Sequence, residues 1–74
     1  PESLGGNPAL AAEEFQYSLD HGLDDADVWV SLGQCYMKLG HNDQALEALQ
    51  AALRREPDHR KAQRLMEELQ EEDE

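Results

Sequence analysis

The chain has 74 residues, and its 17 Asp and Glu against six Lys and Arg give a formal net charge of −11. That charge disfavours binding to nucleic acid and to anionic membrane surfaces, because both carry charge of the same sign. Apolar residues make up 39% of the sequence, which is enough for the packed core of one small domain and too many for a disordered tail.

The sequence bears on cellular location only indirectly. The single Cys, Cys35, excludes an internal disulfide and so implies no oxidising compartment. No apolar run approaches the ~18–20 residues of a membrane span, and residues 1–10 lack the charged start and apolar stretch of a signal peptide. We therefore expect a cytoplasmic protein. Because the chain starts without Met, we also expect a piece of a longer protein or a processed product.

The first helix is predicted over residues 8–22. Asn7 is a typical N-cap, and Pro8 suits the first helical position, where its missing N–H breaks no hydrogen bond. Gly22 is suited to end the helix in a left-handed conformation. Apolar and small residues recur on one face at spacings of three and four. The residues of that face are Ala11, Ala12, Phe15, Ser18 and Leu19.

The second helix is predicted from Asp25 or Ala26 to Leu39, with Gly40 as its terminator. Its packing face combines bulky side chains with one glycine. The glycine lets a neighbouring helix approach closely, while the bulky side chains fill the space around that contact. The residues of this face are Trp29, Leu32, Gly33 and Tyr36.

Two further helices are predicted after Gly40. The third is capped by Asn42 or Asp43 and ends before Pro57, while the fourth is capped by Asp58. Their apolar faces consist of Ala45, Leu46, Leu49, Ala52 and Leu53 in the third and of Ala62, Leu65, Met66 and Leu69 in the fourth. Since no segment shows strand periodicity and the turns are short, we predict an all-α fold of about four antiparallel helices.

The first and third helices are related by an internal repeat. A shift of 34 residues superimposes their apolar faces, with small and large side chains in matching places. The matched pairs are Ala11 with Ala45, Ala12 with Leu46, Phe15 with Leu49, Ser18 with Ala52 and Leu19 with Leu53. A repeated unit of this kind leaves a face that it cannot bury alone, so the units are expected to stack.

A pattern of bulky, small and turn residues runs through the second and third helices. It consists of Trp29, Leu32, Gly33, Tyr36, Gly40, Ala45, Leu49, Ala52 and Pro57. In this register, the segment Ala26–His59 resembles one full tetratricopeptide repeat. The resemblance implies antiparallel helix–turn–helix units in a right-handed superhelix, within a single domain. Residues 8–22 then resemble half of a preceding repeat, residues 58–74 a capping helix with an acidic tail, and residues 1–7 a tail or the remnant of an upstream repeat.

The resemblance also implies a protein–protein interaction module. In this family, the first helix of each repeat lines a concave groove that holds a partner peptide. On a helical wheel, five residues of the second helix point away from its packing face: Asp27, Val30, Gln34, Met37 and Lys38. We expect these residues to form the peptide-binding face. The alternative is a solvated helix face with incidental apolar residues. The Lys and Asn that clamp a peptide carboxylate in some family members are absent from this helix.

The basic residues are concentrated near the predicted third turn. Five of the six lie in one stretch, as Arg54, Arg55, Arg60, Lys61 and Arg64. One interpretation is local stabilisation, with Arg54 and Arg55 at the favourable end of their helix and Arg64 paired to a following Glu. The other is a basic edge that binds an acidic partner.

A second function class follows from the first helix. If Gly5 and Gly6 form the turn of an earlier repeat, residues 1–4 are too short to supply the first helix of that repeat. Leu10, Phe15 or Leu19 would then keep an under-covered face, to be covered by an upstream segment or by a second copy of the chain. The chain would in that case be a structural oligomerisation element.

No residue pattern indicates chemistry. Cys35 lies in mid-helix and is expected to be a packed core residue. His21, His41 and His59 are spread over turns and helix ends, and none has the spacing of a metal-binding pair. We therefore predict no enzymatic activity, no cofactor and no metal.

Overall fold

The computed structural model describes residues 7–72, and the side chains of residues 7–71. This part of the chain is all-α, with four helices and no strand, as predicted. The helices are α1 (Pro8–Asp20), α2 (Ala26–Leu39), α3 (Asn42–Arg55) and α4 (Arg60–Glu72). Each helix packs against the next in chain order, and α4 also touches α2.

The ends of the first two helices follow the local sequence signals. The Asn7 side chain accepts a hydrogen bond from the backbone N–H of Leu10 at 3.1 Å, which confirms the predicted N-cap of α1. The predicted terminators, Gly22 and Gly40, have φ angles of +99° and +82°. Residues that carry a Cβ atom are strained in this left-handed conformation, so both turns depend on glycine.

The predicted N-caps of α3 and α4 are wrong by one or two residues. α3 begins at Asn42 itself, and the residue before it, His41, makes no capping bond with its side chain. α4 is capped by His59 and not by Asp58, because the His59 ring nitrogen Nδ1 accepts from the backbone N–H of Ala62 at 3.2 Å. The helix begins one residue later than expected, so Asp58 lies in the exposed turn.

The core consists of two buried clusters that meet at α2. One joins α2, α3 and α4 through Ala26, Val30, Ala45, Leu49, Ala52, Ala62, Leu65 and Leu69. The other joins α1, α2 and α3 through Ala12, Leu32, Cys35 and Ala48. Trp29 and Tyr36 pack against both clusters, so these two aromatic residues link the layers of the stack.

At Gly33, the backbone of α2 lies close against α3. A Cβ atom at this position would lie 3.0 Å from Cγ of Leu49 and 3.4 Å from the backbone oxygen of Ala45. Leu49 itself is fully buried. The absence of a side chain at Gly33 therefore sets the distance between the two helices, as the small-residue pattern predicted.

Candidate functional site

Four of the five residues predicted for the peptide-binding face lie at least partly at the surface. The Asp27 side chain is 85% exposed, and Lys38 is exposed as well. Gln34 and Met37 are half-buried, with Met37 packed against the cluster that joins α2, α3 and α4. We call Asp27, Gln34, Met37 and Lys38 the α2 face. It combines one apolar side chain with an amide and with charges of both signs.

The prediction that Val30 belongs to this face is wrong. Val30 is only 3% exposed and lies in the same buried cluster as Leu65 and Leu69 of α4. The helical wheel accounted for the packing of α2 against its neighbours in the repeat. It did not account for α4, which packs on this side and removes Val30 from solvent.

A polar network fixes the loop before α2 to the end of α3. The carboxylate of Asp24 accepts from Nε1 of Trp29 at 2.7 Å and from Nε and Nη2 of Arg55 at 2.5 and 2.7 Å. Arg55 also donates from Nη1 to the backbone oxygen of Ala51 at 3.1 Å, and its guanidinium lies 5.3 Å from the centre of the Trp29 ring. The guanidinium thus combines a two-pronged ion pair with a cation–π contact.

These contacts change the acidity of both partners. Hydrogen bonds from Arg55, and then from Trp29, hold the pKa of Asp24 below its ordinary value. The hydrogen bond to Asp24 in turn raises the pKa of Arg55. Both shifts favour the charged forms, so the pair is ionised throughout the physiological pH range.

A second contact links α2 to the start of α4. Nε2 of His59 lies 2.7 Å from Oδ1 of Asp27, and the His59 side chain is 13% exposed. Because Nδ1 of the same ring accepts the backbone N–H of Ala62, Nε2 carries the proton and donates to Asp27. One residue of the α2 face therefore also holds the cap of α4.

In the structure, the five residues of the predicted basic edge fall into two groups. Arg55 is engaged by Asp24 and does not present a free charge. The other four, Arg54, Arg60, Lys61 and Arg64, are exposed. Within the side chains described, none of these four forms an ion pair.

The residues predicted for self-association do not share one surface. Leu10 is 52% exposed, whereas Phe15 and Leu19 are half-buried and pack against the cluster that joins α1, α2 and α3. Tyr17 and Leu23, at 64% and 56% exposure, are the other large apolar side chains that the described chain exposes. Leu10 and Tyr17 are seven residues apart, so they lie on one side of α1.

The groups expected to be chemically inert are placed as follows. Cys35 is 8% exposed, which confirms a packed core residue, and burial raises the pKa of its thiol despite the nearby Lys38. Among the described residues, no group of three His, Cys, Asp or Glu side chains could hold a metal ion. None of the four helices, over the same residues, has the length and apolar content needed to cross a membrane.

Sequence reasoning missed Asp24 and His59. Asp24 contacts Arg55, 31 residues away, and no local pattern signals that pairing. His59 carries no distinct local signal as a cap, since it directly follows Asp58. It was overlooked because Asp is the stronger capping residue by statistics.

Comparison with protein families identifies the repeat independently of its packing. A family model described as the tetratricopeptide repeat matches residues 5–69, which is most of the chain. A search of curated proteins and a search of solved structures found no match. The match covers α1, α2 and α3 and most of α4, the same helices that stack through Trp29, Gly33 and Tyr36. The chain belongs to the tetratricopeptide repeat family.

Proposed function

We propose that this protein is an interaction module that binds a partner peptide or helix along the α2 face. The observation that carries the proposal is that this face stays accessible in a family whose general role is protein binding. Gln34 can donate and accept hydrogen bonds to a peptide backbone, and Met37 offers a flexible apolar contact. The proposal involves no catalysis. Cytoplasmic location remains a prediction, supported by the single buried Cys35.

The proposal is tested with peptides selected from a random display library against the 74-residue chain. We expect Gln34→Arg to lower the affinity of the chain for the selected peptides by about tenfold or more, because a long cation would replace a central contact. The matched control is Gln50→Arg, the same substitution on the exposed side of α3. Equal weakening by both variants, or loss with Gln50→Arg alone, would contradict binding at the α2 face.

A second candidate function is self-association, and one comparison within the chain favours it. In α3, the repeat positions Ala45, Leu49 and Ala52 are fully buried beneath α2. Their counterparts in α1, Ala11, Phe15 and Ser18, are only half-buried. The difference supports the idea that α1 has room for a covering helix, which a second copy of the chain could supply.

Sedimentation equilibrium tests this second candidate. A dimer is expected at high protein concentration, and Tyr17→Glu or Leu10→Glu should weaken it, because each puts a charge among exposed apolar side chains. Gln16→Glu, an equal charge change at another exposed position of α1, should have little effect. A chain that stays monomeric at all concentrations would remove the proposal.

A further inference from the structure

α4 carries its charges in the order opposite to the one that stabilises a helix. Its first seven residues, RKAQRLM, contain three cations and no carboxylate. Its last six, EELQEE, contain four carboxylates and no cation. Because the N-terminal end of a helix is electrically positive, cations near that end and carboxylates near the other end are both unfavourable.

The spacing of the cations adds a second unfavourable feature. Arg60 and Arg64 are four residues apart and Lys61 and Arg64 are three apart, so like charges are neighbours on the helix surface. Within the side chains described, no carboxylate pairs with any of them. Glu67 and Glu68 follow Arg64 at three and four residues, but among the described side chains neither forms an ion pair with it. The arrangement therefore lowers the stability of α4, and local features that lower stability mark candidates for function.

The turn between α3 and α4 holds the start of α4, which carries these cations, to the end of α3, which carries Arg54. The backbone N–H of His59 donates to the oxygen of Glu56 at 3.0 Å, and the Gln63 side chain donates to the oxygen of Pro57 at 2.7 Å. The end of α3 and the start of α4 are thereby held around one corner. We call its four exposed cations, Arg54, Arg60, Lys61 and Arg64, the basic corner.

Arg55 shows by contrast what sets the basic corner apart. It lies beside Arg54 in sequence, but Asp24 engages its guanidinium and satisfies its charge within the chain. Two carboxylates, Glu56 and Asp58, lie on the turn and are exposed. With Asp27, which contacts His59 at the start of α4, three carboxylates border the corner, so its four cations exceed them by one in a chain whose total charge is −11.

We propose that the basic corner docks a short acidic peptide segment of a partner protein. Carboxylates of such a segment would supply the negative charge that the first turns of α4 lack, and each Arg can bind a carboxylate through two parallel hydrogen bonds. At physiological ionic strength, charges are screened over about 8 Å, so a short segment responds to the corner itself. A long polyanion such as nucleic acid also meets the many carboxylates of the remaining surface.

The test uses an oligoglutamate peptide as the probe, with its affinity for the full 74-residue chain measured at low and at physiological ionic strength. Lys61→Glu should weaken binding by about tenfold at low ionic strength, because an attraction becomes a repulsion. Gln16→Glu is the control, because it introduces the same residue at an exposed position of α1, a helix that does not touch α4 and lies outside the α2 face. It should leave the affinity within about twofold.

Two further measurements, the melting temperature and the binding of an oligonucleotide, show what a change in peptide affinity means. Lys61→Glu should raise the melting temperature, since it places a carboxylate in the first turn of α4, so loss of binding would not reflect unfolding. Absence of binding by the unaltered chain, or equal weakening by Gln16→Glu, would overturn the proposal. So would equally tight binding of a single-stranded oligonucleotide of the same charge, since the corner would then be a general polyanion site.

Discussion

At the scale of single residues, the carboxylate of Asp24 accepts three hydrogen bonds from two side chains. Its carboxylate joins the indole N–H of Trp29 to the guanidinium of Arg55. Trp29 in turn packs against both buried clusters. The carboxylate therefore orients a core aromatic residue from the outside, although it lies in an exposed loop.

This contact predicts a specific dependence of stability on pH. The pKa of Asp24 is lower in the folded protein than its ordinary value, which also describes the unfolded chain. The pair therefore stabilises the fold above about pH 4, and this contribution is lost as the pH falls through the lowered pKa. Asp24→Asn should lower the melting temperature at pH 7 by a few degrees, and the difference from the unaltered chain should shrink in acid.

Asp25→Asn is the control for this prediction. Asp25 is the neighbouring residue, is exposed and makes no capping hydrogen bond with its side chain. Its replacement removes the same charge without breaking the network. Thermal unfolding followed by circular dichroism over a range of pH gives the comparison. A constant difference between Asp24→Asn and the unaltered chain across the acid range would show that the charge of Asp24 contributes nothing.

Gly33 gives the second prediction at this scale. Alanine would favour the helix by up to about 1 kcal/mol, but its Cβ would lie 3.0 Å from Cγ of the fully buried Leu49 and press on that side chain. We expect the steric effect to dominate, with a net loss of about 1 kcal/mol in the free energy of unfolding measured with urea.

Gly40→Ala separates the steric effect of an added Cβ atom from the cost of a left-handed backbone. Open space surrounds Gly40, so alanine there should lose about 1 kcal/mol through its left-handed backbone alone. In Gly33→Ala, the loss should instead come with a shift of the Leu49 methyl signals in the NMR spectrum. A gain in stability for Gly33→Ala would mean that α2 and α3 can move apart easily.

At the scale of elements, the position of α4 depends on His59. Its ring accepts the backbone N–H of Ala62 and donates to Asp27 of α2, so a single side chain both starts the helix and attaches it. The apolar side of α4 then covers Val30. The shape of the α2 face is thus determined in part by a residue of the following helix.

Two substitutions at His59 separate its capping of α4 from its contact with Asp27. His59→Ala removes both contacts and should lower the free energy of unfolding by about 1 kcal/mol. His59→Asn can still cap α4, as Asn7 caps α1, and should recover most of that loss. Urea unfolding monitored by Trp29 fluorescence measures both. Equal losses in the two variants would assign the effect to the contact with Asp27 and not to the cap.

At the scale of the whole molecule, the predictable part of the fold is the part that local sequence encodes. Asn7, Gly40 and the spacing of the apolar residues predicted the helices, because caps, turns and amphipathic faces depend on neighbours in sequence. The exposure of Val30 was predicted wrongly because it depends on how α4 packs. The pairing of Arg55 with Asp24 was missed for the same reason, since it exists only once α3 is packed.

The stacking of the helices predicts how stability is distributed along the chain. α2 and α3 each contain five buried residues, whereas α1 contains only Ala12. Since α1 packs mainly on α2 and contributes one buried residue to the cluster shared with α3, it can open with little disturbance of the rest. In amide hydrogen exchange, α1 should therefore exchange at least about tenfold faster than α2 and α3, apart from its frayed ends. Protection of α1 equal to that of α3 would instead indicate one fully cooperative unit, or a second copy covering α1. The two explanations separate on dilution, because only protection by a second copy decreases with protein concentration.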